Sequence, residues 1–376
     1  MNIVVDCFKL VKGVGKSVGI YNLALNLVRN LMIEQQRTAE TQIKHCKIII
    51  LGNAWNEEDF NISGVEFVKI TKLSPLKRID CLLWELFVVT KVCKNLNADR
   101  VMFPRGFCAM THHIRDIVII HDLIPFYYNE HYPGFFGRME NAYIMSRLRR
   151  SAQKCNKIVT ISNASKADII KYCRVNADKI TVIYNGCNFI EKQEKKYNSD
   201  DSKHSYIMAI TSQLPHKNAE GILKSYERYC NIADKPLDLV VVGIQDTNEY
   251  ELTDKTRKKV RCYKFIRKDS ELHQLLANSR IFLFLSLAEG FGYPPIEAMQ
   301  LGVPVICSDT SSLPEVVGDA AVLVEPEDIN NVAEKMKELL GDEEKQRELI
   351  EKGFKNIERF SWDSRAKLYW KTITAE

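Results

Sequence analysis

Two carboxylates, Glu289 and Glu297, stand with seven residues between them in the stretch Glu289-Gly290-Phe291-Gly292-Tyr293-Pro294-Pro295-Ile296-Glu297-Ala298-Met299. A carboxylate on a pocket wall accepts hydrogen bonds from both hydroxyls of a vicinal diol, and it repels phosphate. Gly290 and Gly292 let the backbone approach a ligand closely. Pro294 and Pro295 suit the first turn of a helix, where missing N–H groups cost little. The dipole and remaining amides of such a turn favour an anion. A second site of interest is Thr211-Ser212-Gln213-Leu214-Pro215-His216-Lys217-Asn218, where a lysine stands beside a titratable imidazole. A third is His121-Asp122-Leu123-Ile124-Pro125, and a fourth is the glycine-bearing run Lys12–Gly19. The Gly15-Lys16-Ser17 inside that run is not a phosphate loop of the nucleotide-hydrolase kind, because Leu10 stands where its first glycine belongs.

The elements that must position these groups are strands followed by helices. Ile281–Leu285, an unbroken apolar run, reads as a buried parallel strand ahead of Glu289. Gly302 ends a short helix, and Val303–Cys307 is the next strand. His121 follows the strand Arg115–Ile120, and polar residues at the carboxyl ends of such strands face a ligand crevice. Further strands are expected at Ile3–Val5, Lys47–Leu51, Lys157–Ile161, Ile180–Tyr184, Tyr206–Ile210, Leu237–Val242 and Ala320–Val324, and a strand end at Lys264–Arg267. Helices are expected from about Ile20 to Leu31, over Arg138–Asn156, after Ser162 as N-cap, near Asn330–Leu340 and Glu343–Arg359, and after Ser361. Ser312-Leu313-Pro314-Glu315 has the spacing of a capping box. Alternating strand and helix in both halves implies two Rossmann-like domains facing across a cleft. The polar run Glu191–His204 marks the linker between them.

Composition narrows the function classes. At 376 residues the chain is long enough for two domains, and 45% hydrophobic with 27% charged residues is ordinary for a globular protein. Its 11 cysteines form no C-x-x-C pair and no Cys/His cluster, which argues against zinc or a disulfide framework and for a reducing cytoplasm. No secretion signal opens the chain, and no apolar run reaches membrane-spanning length. The net charge of +5 is uneven: residues 1–185 carry 26 Lys/Arg against 16 Asp/Glu, a balance of +10, which leaves −5 for the rest. A basic first half suits an anionic partner. Within it, Lys69, Lys72, Lys77 and Arg78 precede the apolar residues Leu82, Leu83, Trp84, Phe87, Val88 and Val89. This segment is either a core helix with a solvated start or a face resting on an anionic membrane. The chain lacks any recognised nucleic-acid-binding module, so nucleic acid is not expected.

The order E-G-F-G-x-P-x-x-E-A-M at Glu289–Met299, continued by Gly302, Pro304 and Val305, resembles the donor-site motif of retaining GT-B glycosyltransferases of family four. His121-Asp122-Leu123-x-Pro125 and Pro215-His216-Lys217-Asn218 resemble two more motifs of that family, with His216 in place of its usual arginine and Thr211 in place of a glycine. The resemblance runs over nearly the whole chain in motif order. It implies a GT-B fold of two domains: residues 1–190, joined by 361–376, on the acceptor side, and 205–360 holding the donor. It also implies transfer of a hexosyl group from a nucleotide-sugar to a hydroxyl of a saccharide or lipid-linked acceptor, with retention at the anomeric carbon. His121, Lys217 and Glu289 would be catalytic. Gly15, Gly19, His216, Lys217, Gly290, Phe291, Gly292 and Glu297 would bind the donor, with Glu297 on the ribose and His216 and Lys217 supplying positive charge to its diphosphate. Arg105 and Gly106 would line the acceptor side. The sequence has no D-x-D triplet, so no essential divalent metal is expected, and no cofactor is expected because the nucleotide-sugar is itself a substrate. Two alternatives stay open: a nucleotide-sugar epimerase of the same fold, and a non-catalytic sugar-binding protein.

Overall fold

A computed structural model describes residues 1–12, 18–41, 46–111, 114–188 and 206–375. Gly15 and the expected linker 191–204 lie outside the described residues. The chain divides into two compact units, Met1–Gly186 with Phe360–Glu376, and Cys187–Arg359.

The first unit is built on a parallel sheet of β1 (Asn2–Asp6), β2 (Lys47–Gly52), β3 (Glu66–Lys69), β4 (Arg100–Phe103), β5 (Arg115–Ile120), β6 (Lys157–Thr160) and β7 (Ile180–Val182), in the order β3, β2, β1, β4, β5, β6, β7. The central strands are apolar through their middles, at Ile3–Val5, Val101–Phe103 and Ile117–Ile120, because both faces are covered, which is why they read as continuous runs rather than alternating ones. The helix Trp362–Thr374, capped by the Ser361 side chain, returns to pack on the helix Val18–Thr41. Trp362 sits where a Cβ on Gly186 would fall, 2.2 Å from its ring, so only glycine fits there.

The helix expected to end near Leu31 runs on to Thr41. Its last turns are anchored by Arg37, which bridges Glu34 at 2.6 Å and Asp363 of the returning helix. It also begins earlier than expected, at Val18, so Gly19 belongs to its first turn and not to the preceding loop. The apolar segment after Lys69 is neither a single core helix nor a uniform face. It forms the helix Arg78–Leu83, a wide π-turn Trp84–Val88 and the helix Val89–Asn95. The π-turn directs Trp84 and Glu85 inward, whereas Ile79, Leu82, Leu83 and Phe87 are exposed.

The second unit has a parallel sheet of β8 (Tyr206–Ile210), β9 (Asp238–Val242), β10 (Val260–Tyr263), β11 (Ile281–Phe284), β12 (Val305–Ser308) and β13 (Ala321–Val324), in the order β10, β9, β8, β11, β12, β13. β8 and β11 are neighbours, so the loops that follow them emerge side by side. The strand end expected at Lys264–Arg267 is instead irregular, since β10 stops at Tyr263 and Phe265 is exposed.

Candidate active site

The loop after β8 is fastened at several points. Thr211 Oγ1 donates to the Lys217 carbonyl at 2.7 Å, and the Leu287 N–H donates to the His216 carbonyl at 2.7 Å. Asn218 takes a left-handed conformation, φ 53°, which its short polar side chain tolerates. From there its Oδ1 accepts the Gly221 N–H at 3.1 Å, capping the helix Ala219–Ile232, while its amide donates to Leu285 and Pro326 carbonyls at 3.0 and 3.1 Å. These ties aim Lys217 at the loop after β11, where Nζ lies 2.6 Å from Glu289 Oε1. The pair is partly shielded, with side-chain exposures of 26% and 11%. Two residues 72 positions apart in sequence therefore meet in one place.

Glu289 is held from behind by two serines. Ser311 Oγ accepts the Glu289 N–H at 3.2 Å and donates to its carbonyl at 2.8 Å. Ser312 Oγ donates to the Glu289 and Phe291 carbonyls at 2.9 and 3.1 Å. Ser312 therefore does not cap the helix Leu313–Val317, as its spacing suggested; its hydroxyl is committed to the glutamate loop. Gly290 and Phe291 are buried in that loop, and Phe291 meets Tyr293 edge-on at 5.2 Å. Gly292 has φ +97° and a Cβ there would fall 2.5 Å from Leu313, so both conformation and space require glycine. It opens the helix Tyr293–Gln300, whose early prolines remove two of the first-turn N–H groups. The helix thus offers an anion its dipole and few donors. Glu297 is on this helix, half-buried. Desolvation, with Asp269 adding repulsion, raises its carboxyl to about 7.

His216 does not supply the expected charge. It is buried, and desolvation together with the adjacent Lys217 pushes its imidazole down to about 3, so it is neutral at physiological pH. In this segment the cation is Lys217.

In the first unit, His121 follows β5 and bonds the Pro104 carbonyl through Nε2 at 2.7 Å. Burial, the largest influence, lowers its pKa. The neutral ring therefore carries its proton on Nε2, with Nδ1 as the acceptor. His121, Asp122, Arg105, Gly106, Lys9 and Phe107 are among the residues lining a cavity of about 470 Å³. Gly19, exposed in the first turn of its helix, has nothing within 4 Å of a notional Cβ. Behind the cavity lies a buried ionic group: Glu85 pairs with Lys9 and, at 2.8 Å, with Arg147. Sequence reasoning missed this group, Ser311 and the hold of Ser312 on the glutamate loop, because single polar residues inside apolar or loop segments give no periodic signal. Among the described residues, no three His, Cys, Asp or Glu side chains gather as they would around a metal ion.

Residues 37–189 match the profile described as Glycosyltransferase Family 4, and residues 189–356 match Glycosyl transferases group 1. The chain belongs to the group 1, family 4 glycosyltransferases. This glycosyltransferase is similar to O-antigen chain mannosyltransferase B of Escherichia coli, 29% identical over 66% of this chain and 68% of the relative. It is likewise similar to O-antigen chain mannosyltransferase RfbU of Salmonella typhimurium, 29% identical over 69% of this chain and 71% of that one. In fold it matches the crystal structure of WaaG, a glycosyltransferase involved in lipopolysaccharide biosynthesis, with a TM-score of 0.71, 15% identity and full coverage of both chains. The glycosyltransferase accordingly has the two-domain α/β GT-B fold.

Proposed function

We propose that this glycosyltransferase moves a mannosyl group from a nucleotide-mannose to an acceptor hydroxyl, with retention and without a metal, in cell-surface polysaccharide or glycolipid synthesis. The observation that carries the reading is the Lys217–Glu289 contact at 2.6 Å, on adjacent loops at the carboxyl ends of β8 and β11. The chemical demand of the reaction is to stabilise a departing nucleoside diphosphate. Lys217 is the fixed cation for that oxyanion, and Glu289 the acceptor for sugar hydroxyls. Glu297 takes the ribose diol. In the first unit, the neutral His121 has an Nδ1 acceptor suited to a sugar hydroxyl. Mannose is favoured by the names of the two relatives.

The same unit carries a face suited to an anionic membrane. Leu76, Ile79, Leu82, Leu83 and Phe87 are exposed together with Lys72, Lys77 and Arg78. Among the described residues no helix is long and apolar enough to cross a membrane. A peripheral contact through this face would present the first unit to lipid-linked acceptors.

The deciding assay incubates the protein with a panel of nucleotide-sugars, with and without saccharide acceptors. Release of nucleoside diphosphate with transfer of mannose supports the reading. Conversion of the donor to its epimer without acceptor identifies an epimerase, and no turnover of any donor a non-catalytic protein.

A further inference from the structure

The cavity beside His121 has one charged side chain whose bonding capacity is largely unspent. Arg105 donates through Nη1 to the Lys9 carbonyl, and among the described residues that is the one hydrogen bond its guanidinium makes. A guanidinium has five N–H donors in a fixed fork. The neighbouring carboxylates are committed elsewhere. Glu85 is shared between Lys9 and Arg147. Asp6 accepts from Trp84 Nε1 at 3.1 and 3.2 Å and from the Phe8 N–H at 3.1 Å. Asp122, the carboxylate on the cavity wall, gives Oδ1 to the Ile124 N–H at 3.1 Å. No carboxylate lies within ion-pair distance of Arg105 among the described residues, although burial lowers its pKa against the partial support of Cys81, Asp6 and Glu85. A half-buried cation held this way is short of an anion.

The rest of the wall is right for a sugar. Phe107 lines it with Lys9 Nζ and the Arg147 guanidinium over its ring at 5.7 and 5.8 Å, and Val11, Ile144 and Leu148 give it an apolar side. A volume of about 470 Å³ is that of a small-ligand pocket.

We propose that this cavity is an acceptor subsite for an anionic group, a phosphate or carboxylate carried on the acceptor saccharide or its lipid anchor, gripped by the free edge of the Arg105 guanidinium. It rests on the glycosyltransferase reading and adds to it the charge of the acceptor. Arg105 acts there as a specificity-determining residue, since bidentate binding of phosphate or carboxylate is what guanidinium geometry favours.

The test uses the full chain with the donor site saturated by nucleoside diphosphate. Calorimetry compares mannose 1-phosphate with methyl mannoside. The wild type should bind the phosphate about tenfold or more tightly than the neutral glycoside. Arg105→Met should abolish that preference, Arg105→Lys should keep a small part of it, and nucleoside diphosphate affinity should stay the same in all three. That last affinity separates this idea from the donor reading, which fails if the wild type does not bind nucleoside diphosphate. If Arg105→Met does not fold, Arg105→Lys decides, and a full preference retained by the lysine overturns the proposal. Flotation with phosphatidylcholine vesicles, with and without a prenyl phosphate, locates the anion. Arg105-dependent binding there, without binding of mannose 1-phosphate, places it on a lipid, and binding of the soluble phosphate places it on a saccharide. Equal binding of charged and neutral ligands, with no effect of prenyl phosphate, or a preference that survives Arg105→Met, refutes it.

Discussion

Glu297 gives the most quantitative test of the donor assignment. Its carboxyl is raised from 4.5 to about 7, first by desolvation and then by Asp269. At 1.36 kcal/mol per pKa unit, keeping it ionised in the folded chain costs roughly 3 kcal/mol. The sign follows from linkage. A carboxyl raised on folding is protonated more readily in the folded state, so stability is full below about 4.5 and falls as pH rises through about 7. Glu297→Gln, which removes the titrating proton, should therefore raise the melting temperature at pH 8 and change it little near pH 4. Binding should titrate in the opposite direction. In the proposed contact ribose hydroxyls would donate to the carboxylate, so a ribonucleotide should favour the ionised form and binding should expel a proton. At pH 6, one unit below the midpoint, affinity should be about tenfold weaker than its plateau above pH 8. The phosphates of the ligand also titrate, and dividing ribonucleotide by 2′-deoxyribonucleotide affinity cancels them. Isothermal titration across this range should give a ratio that rises through about pH 7 in the wild type and is flat in Glu297→Gln. Asp269→Asn should move the midpoint downward. A flat ratio in the wild type, or the same slope in Glu297→Gln, would refute the ribose assignment.

Lys217→Ala removes the fixed cation and should lower kcat by about 10²–10³, the range seen when one oxyanion donor is deleted; wild-type turnover would count against its role. Ser312→Ala strips a hydrogen bond from each of the Glu289 and Phe291 carbonyls, so thermal unfolding should show a loss of about 1–3 kcal/mol and kcat/KM should fall with it. A loss of stability with unchanged kcat/KM would mean the serine does not position the glutamate. Phe87→Asp, on the exposed apolar face, should abolish co-sedimentation with anionic vesicles while leaving transfer to a soluble acceptor intact; undiminished sedimentation would remove the membrane from the picture.

What the sequence conveyed and what it hid divide along physical lines. The buried strands were legible because a parallel sheet covered on both faces leaves an apolar run, as at Ile281–Phe284 and Ile117–Ile120. The Glu289–Met299 motif was legible because glycine and proline mark backbone geometry directly, and Gly292 does take the left-handed conformation. Charge state was not legible. His216 reads as a cation in sequence, and burial makes it neutral. Ser312 reads as a cap because local spacing is all a sequence displays, whereas its hydroxyl serves a loop 21–23 residues away. The exposed Ile79 and Phe87 and the buried Trp84 occupy one apolar stretch, and the π-turn that sorts them has no sequence signature.

The Lys217–Glu289 contact makes a last prediction, and its direction is not the intuitive one. In the free protein each side chain neutralises the other, which lets both sit partly buried without an unpaired charge. If the donor binds as proposed, its diphosphate must draw Lys217 away from Glu289 before the ammonium can stabilise it. The glutamate backbone is pinned by Ser311 and Ser312, so a vacated Oε1 would be left as an acceptor for sugar hydroxyls. On that reading, as the bond between sugar and diphosphate breaks, the leaving diphosphate would face the ammonium and the sugar's developing positive charge would face the carboxylate. Glu289→Gln abolishes the competition for Lys217 and also the stabilisation of the sugar. It should therefore bind a plain nucleoside diphosphate more tightly than the wild type, by at least the roughly 0.2–1 kcal/mol that even an exposed pair is worth, while transferring sugar far more slowly. Weaker binding of nucleoside diphosphate by Glu289→Gln would show that the pair acts as a scaffold and does not exchange partners.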